Sequence, residues 1–160
     1  FFHNKIGEIM KIKEIMQKKV IRANHTDDIF KVACMMKKYQ IGFLPIEKEK
    51  KIIGVITDRD LVIKFLATSH NKEKTIEHYM NPSIITVEEE AEIKDALAIM
   101  RKEKVKRLLV THKKQIVGML SFSDILSHYK EEGILETLQS IFTIEVPSSP
   151  LLSEIDSFYL

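Results

Sequence analysis

Apolar residues in this chain fall into the same order of short runs twice. Ile29, Val32, Ala33 and Met36 are spaced i, i+3, i+4, i+7, which predicts an amphipathic helix. Ile93, Ala96, Leu97 and Met100 repeat that spacing. Acidic residues open both helices (Asp27-Asp28; Glu88-Glu89-Glu90) and basic residues close both (Lys37-Lys38; Arg101-Lys102), as the helix dipole favours. Each helix is followed by two apolar runs joined by a charged turn, 41–46 with 52–56 and 105–110 with 116–120, the signature of a hairpin. Each hairpin leads into another helical pattern, over 57–68 and from 121 to about 130. Short strands are expected at 20–21 and 84–85.

The recurrence is ungapped, with a step of 64 residues: Met16 returns as Met80, Ile29 as Ile93, Met36 as Met100, Leu44 as Leu108, Gly54 as Gly118 and Asp60 as Asp124. Solenoid units run roughly 20–50 residues, so this period is too long for one. It predicts an α+β chain of two β-α-β-β-α half-domains facing each other across a pseudo-two-fold axis. A cleft on that axis is a natural ligand site. The first half is assigned to 10–70 and the second to 71–130, with a polar linker at 69–74. Asn81-Pro82 marks the entry to the second half, because the residue before proline is pushed out of helix. Residues 1–9 read as a segment ahead of Met10, a natural start. Beyond 130 come a helical stretch (Ile134, Leu135, Leu138, Ile141, Phe142) and an apolar tail, expected to dock on the domain.

Composition narrows the functions. The 160 residues are 44% hydrophobic and 30% charged, ordinary for a soluble globular protein. A net charge of +2 offers no strong field for nucleic acid or membrane. No apolar run reaches the roughly 18 residues of a membrane span, no signal peptide is evident, and the cytoplasm is the expected compartment. Cys34 has no disulfide partner and reads as a buried structural thiol. The histidines show no metal-ligand spacing, no Walker-type loop is present, and no nucleophile or base emerges. A metal, a cofactor and an enzymatic activity are therefore not expected.

One phrase carries chemistry. Gly54-Val55-Ile56-Thr57-Asp58-Arg59-Asp60 and Gly118-Met119-Leu120-Ser121-Phe122-Ser123-Asp124 both read G-x-x-[ST]-x-x-D at a strand-to-helix junction. The glycine admits close backbone approach. The hydroxyl lies at a helix N-terminus, where phosphate is favoured. The carboxylate is a pure acceptor, suited to two adjacent ribose hydroxyls. The same residues also suit a capping box. Both roles are compatible, with the hydroxyl capping the empty state and meeting phosphate in the bound one.

With Met16, Met80-Asn81-Pro82 and Ile41-Gly42-Phe43-Leu44-Pro45-Ile46, these phrases resemble a tandem pair of cystathionine-β-synthase (CBS) domains, a Bateman module, over about residues 10–130. The resemblance implies a regulatory module that binds an adenosine-type ligand such as AMP, ADP, ATP or S-adenosylmethionine, and that forms a homodimer. It implies ribose at Asp60 and Asp124, phosphate or ribose at Thr57 and Ser121, and an adenine slot near Ile21-Arg22 and Ile85-Thr86, with Phe43 and Pro45 nearby. It places Lys106 and Arg107 against phosphates, where Arg107 would grip two oxygens at once. Arg22 and Arg59 are further candidates. Each cleft should mix residues of both halves, and the two should be unequal. A downstream protein would read the change of shape. The rival reading is an interaction or oligomerisation module without a small ligand.

Overall fold

The computed structural model describes residues 10–68 and 73–128. Helix α1 (Ile12–Ile15) leads to strand β1 (Ala23–Asn24), helix α2 (Ile29–Tyr39) and a hairpin of β2 (Phe43–Lys48) and β3 (Lys51–Thr57). Helix α3 (Asp58–Asp60) continues as a π-helical turn over Leu61–Leu66. A 3-10 turn (Ile76–His78) precedes β4 (Thr86–Glu88), α4 (Ile93–Glu103), the hairpin of β5 (Arg107–His112) and β6 (Gln115–Ser121), and α5 (Phe122–His128). The helices and hairpin strands keep the 64-residue step, from Ile29 to Ile93, Phe43 to Arg107 and Lys51 to Gln115. The fold is α+β: two three-stranded sheets, β1-β2-β3 and β4-β5-β6, each with a parallel first pair and an antiparallel hairpin. The segment 1–9, residues 69–72 of the expected linker, and the tail 131–160 with its expected docking lie outside the described residues.

Local chemistry explains the elements. The Asp28 carboxylate accepts the Phe30 N–H at 2.7 Å and starts α2, and Gln40 ends it in the left-handed region at φ 53°. Glu92 and Asp95 form a capping box on α4, and Lys104 closes it at the same φ. Helix α2 buries Ile29, Val32 and Met36. The buried face is narrower than the sequence pattern suggests, so Ala33 is exposed, and Cys34 is exposed rather than buried. The first strands start later than expected, at Ala23 and Thr86. Ile21 and Ile85 are only partly buried and pack against the cores.

The leading segments are exchanged between the halves. Ile12 and Ile15 join the core of the second half, beside Val87, Ile93, Met100 and Leu120. Ile76 and Tyr79 join the core of the first half, beside Ala23, Ile29, Leu44 and Ile56. Matching hydrogen bonds fix the exchange. Ile12 N–H donates to Ala91 O at 3.0 Å and Ile76 N–H to Asp27 O at 2.9 Å. Gln17 and Met119 exchange two backbone hydrogen bonds, as do Asn81 and Val55. The conserved step of the glycines now has a physical cause. A Cβ on Gly54 would lie 2.7 Å from Asn81 O, and one on Gly118 would lie 2.7 Å from Met16 Sδ. The close approach that requires glycine is that of the other half's leading segment.

Candidate functional site

Both G-x-x-[ST]-x-x-D phrases close as capping boxes. At the end of β3, Thr57 Oγ1 accepts the Asp60 N–H at 3.1 Å, and Asp60 Oδ2 accepts the Thr57 N–H at 3.0 Å and its hydroxyl at 2.6 Å. At the end of β6, Ser121 Oγ accepts the Asp124 N–H at 3.2 Å, and Asp124 Oδ2 accepts the Ser121 N–H at 2.8 Å and its hydroxyl at 2.5 Å. Hydroxyl and carboxylate thus satisfy the first orphan donors of each helix.

The boxes differ in what meets the rest of the carboxylate. Lys64, one turn along the same helix, reaches Asp60 Oδ1 at 2.9 Å. Burial works against the Asp60 charge, but hydrogen bonds from Thr57 and Lys64 outweigh it and hold the carboxyl below its ordinary value. Asp124 instead receives the Gln17 side-chain amide on both oxygens, at 3.1 and 3.2 Å. Gln17 belongs to the leading segment of the other half. Its counterpart, Asn81, is one methylene shorter and turns its oxygen back onto the Ser83 N–H at 2.9 Å.

Cations also separate the boxes. Arg107 opens β5 directly opposite Ser121 in the ladder, and Lys106 O accepts the Phe122 N–H at 2.8 Å. Lys106, Arg107, Ser121, Asp124 and Gln17 therefore gather at one end of the second hairpin. The matching places beside Thr57 are Gly42 and Phe43. The Arg107 guanidinium lies over the Phe43 ring at 5.7 Å, so these two equivalent positions touch across the pseudo-two-fold. Arg59 is exposed on the first turn of α3, and Pro45 is buried within β2 opposite Val55.

A second feature lies at the other end of the hairpins. The gap between the halves opens there into a cleft of about 810 Å³, lined by both hairpin turns and by Arg22, Ile84 and Thr86. Of the residues expected at the site, Arg22 and Thr86 line it, and those of the two boxes do not. Along β3, six strand steps of about 3.3 Å put the turn roughly 20 Å from Thr57. Sequence reasoning missed Gln17, whose signal was its place one residue after the repeated methionine. It also missed the turn lysines, whose signal was their recurrence at the 64-residue step. Among the described residues no group of three metal-ligating side chains occurs, and no helix is long and apolar enough to cross a membrane.

Comparison with known proteins follows the same division. A model of the CBS domain matches residues 12–67 and 76–131. Hypoxic response protein 1 of Mycobacterium tuberculosis is 30% identical over 131 residues, 81% of this chain and 92% of that protein. The CBS domain protein TA0289 of Thermoplasma acidophilum superposes with a TM-score of 0.75 at 19% identity, over 85% of this chain and 78% of its own. The CBS domain pair of protein MJ0100, solved in complex with 5′-methylthioadenosine and S-adenosyl-L-methionine, superposes with a TM-score of 0.67. That pair is 30% identical, over 75% of this chain and 95% of its own.

Proposed function

The chain belongs to the CBS domain family as a tandem pair, and from that premise we propose a regulatory, non-catalytic module that binds an adenosine-containing metabolite where its halves meet. The observation that carries the proposal is the pair of hydrogen bonds from Gln17 to Asp124. A carboxylate of one half there faces a polar side chain of the other, so a ligand replacing that contact touches both. Asp124 accepts the two ribose hydroxyls, and Ser121, Lys106 and Arg107 take the phosphates. Base and ribose lie along the leading segment towards Ile21. The Thr57–Asp60 box, with Arg59, Phe43, Pro45 and Ile85, forms a second and weaker site, because Lys64 already neutralises its acid. Two cations at the stronger site favour AMP, ADP or ATP over S-adenosylmethionine. The ligands of the MJ0100 pair support the adenosine class.

Signalling follows from differential contact. A ligand held by both halves favours the relative orientation that makes both sets of contacts, and a partner protein reads the altered surface. The functional unit is a homodimer joined through the first half. There Phe30 (64% exposed), Val62, Ile63 and Leu66 (71%) form an apolar outer face. Ile63→Glu is expected to convert dimer to monomer in sedimentation velocity.

Calorimetry with AMP, ATP and S-adenosylmethionine tests the ligand. Asp124→Ala and Arg107→Gln should each weaken AMP about 10-fold or more, as loss of a charged hydrogen bond implies. Asp60→Ala should spare the tighter site. If no adenosine compound binds, or the Asp124 and Arg107 variants bind like the parent, the ligand-free interaction module becomes the better reading.

A further inference from the structure

The cleft at the turn end of the hairpins has a chemistry of its own. Lys50 and Lys114 occupy equivalent places, each the second residue of a two-residue hairpin turn. Such turns require positive φ at both residues and usually take Asn-Gly. Here Glu49-Lys50 and Lys113-Lys114 hold φ between 48° and 66°. The turns thus place long cationic side chains at the cleft rim in a backbone conformation that glycine would adopt more readily. Lys51 and Arg22 add two more cations, and Glu88 is the one acid among the lining residues.

Existing contacts leave much of that charge available. The Glu88 carboxylate accepts the Thr111 hydroxyl at 2.8 Å, and Arg22 pairs with Glu47 through one nitrogen at 2.8 Å. Lys50, Lys51 and Lys114 form no ion pair among the described residues. Between the cations lie three isoleucines: Ile52 and Ile116, which are repeat equivalents, and Ile84. The volume, about 810 Å³, lies within the range of small-molecule sites.

We propose that this cleft is a further binding site, separate from both boxes, for an organic polyphosphate. The apolar body rests on Ile52, Ile84 and Ile116, and two or more phosphates lie between Lys50, Lys51, Lys114 and Arg22. Because Lys50 and Lys114 belong to different halves, the bound anion ties the two hairpin turns together across the pseudo-two-fold. The site goes beyond the adenosine reading and shares none of its box residues. It lies about 20 Å along the strands from Thr57.

The test uses the full chain and inorganic tripolyphosphate as probe, read by calorimetry. In a Lys106→Gln/Arg107→Gln background, which removes the phosphate cations of the box site, one equivalent should bind, and adding Lys50→Gln/Lys114→Gln should weaken it about 10-fold or more. The variants Asp60→Ala/Asp124→Ala and Lys37→Gln/Lys38→Gln should leave it unchanged. ATP, measured in the Asp60→Ala/Asp124→Ala background, should bind more tightly than tripolyphosphate, and Ile52→Ser should remove that margin. Absence of tripolyphosphate binding overturns the proposal. So does an equal loss in the Lys37/Lys38 variant, which would mean general surface charge. Failure of AMP to bind at Asp124, with tripolyphosphate still held by the turns, would remove the adenosine reading and leave this one standing.

Discussion

The two halves follow one backbone plan and differ in the side chains that stand outside it. Where the second half has Lys106 and Arg107 beside its capping box, the first has Gly42 and Phe43. The second half's carboxylate meets Gln17 from the opposite leader, whereas the first half's meets Lys64 from its own helix. On the outer helices the pattern reverses. Phe30 and Ile63 are exposed in the first half, and Lys94 and Ser127 stand at the matching places. The shared residues, namely the leader isoleucines, the close-approach glycines and the caps, are the ones each copy needs in order to fold. Residues off that network differ, with two cations beside the second box and exposed apolar side chains on the outer helices of the first half.

The largest expected effect tests whether the exchanged leaders are equivalent. Ile12 and Ile76 are both fully buried, each in the core of the half that does not follow it in sequence. Ile12→Ala and Ile76→Ala should each cost about 2–5 kcal/mol, as truncation of a buried isoleucine does. Both should lower the single unfolding transition seen by chemical denaturation. If Ile12→Ala instead split the transition in two, the halves would be independent folding units and the symmetry only formal.

A smaller effect should rank the glycines. At Gly54 a Cβ meets the Asn81 carbonyl at 2.7 Å, backbone that hydrogen bonds to Val55 hold in place. At Gly118 the nearest atom is Met16 Sδ at 2.7 Å, with backbone at 3.0 Å. A methionine side chain yields more easily than a carbonyl. Gly54→Ala should therefore destabilise by about 2–3 kcal/mol and Gly118→Ala by about 1 kcal/mol, within the usual range for overpacking. Thermal melts of the two variants give the ranking, and a reversed order would break it.

Much of the plan was legible in the sequence because it was written twice. The hairpins and outer helices showed as apolar runs at a fixed step, and the boxes as repeated phrases. The leader exchange was not legible. The four residues of α1 are too few for a periodic signal, and which core Ile12 enters is decided by tertiary packing. Cys34 is exposed although the i, i+4 spacing gives α2 a broad apolar face, because the helix buries only Ile29, Val32 and Met36, with Met35 partly buried at the edge of the core. The strands start later than the apolar runs, because Ile21 and Ile85 are apolar for packing while pairing starts at Ala23 and Thr86. The boxes were legible as residue types, but their different partners depend on whether a side chain from elsewhere reaches them. Gln17 does and Asn81 does not.

The contact of Arg107 with Phe43 joins unlike residues at equivalent places, and removing it should have a modest effect. Partly exposed cation–π pairs contribute about 0.5–1 kcal/mol. Arg107→Met and Phe43→Leu should each lower stability by about that amount. The double variant should lose less than the sum of the two, a coupling that a double-mutant cycle measures. Strict additivity would show that the two side chains only lie near each other.

The smallest expected effect separates the acids by pH. Asp60 has its carboxyl held below the ordinary value of 3.8, chiefly by Thr57 and Lys64 against the opposing effect of burial. A carboxyl with a lowered folded-state value adds stability above its unfolded value and loses it as pH falls through the folded one. Asp60→Asn removes the titrating group but keeps an acceptor for the Thr57 N–H. The gap in melting temperature between parent and variant should therefore be full at pH 6 and shrink below about pH 3.8. Glu90, lowered to about 2 by Lys11 and Lys13, and Glu77, lowered by His25 and Lys48, titrate in both proteins and cancel in the difference. A gap that stayed constant down to pH 2.5 would mean that Lys64 adds nothing through charge. The contrast between a lysine-neutralised box and an amide-capped one would then have no electrostatic content.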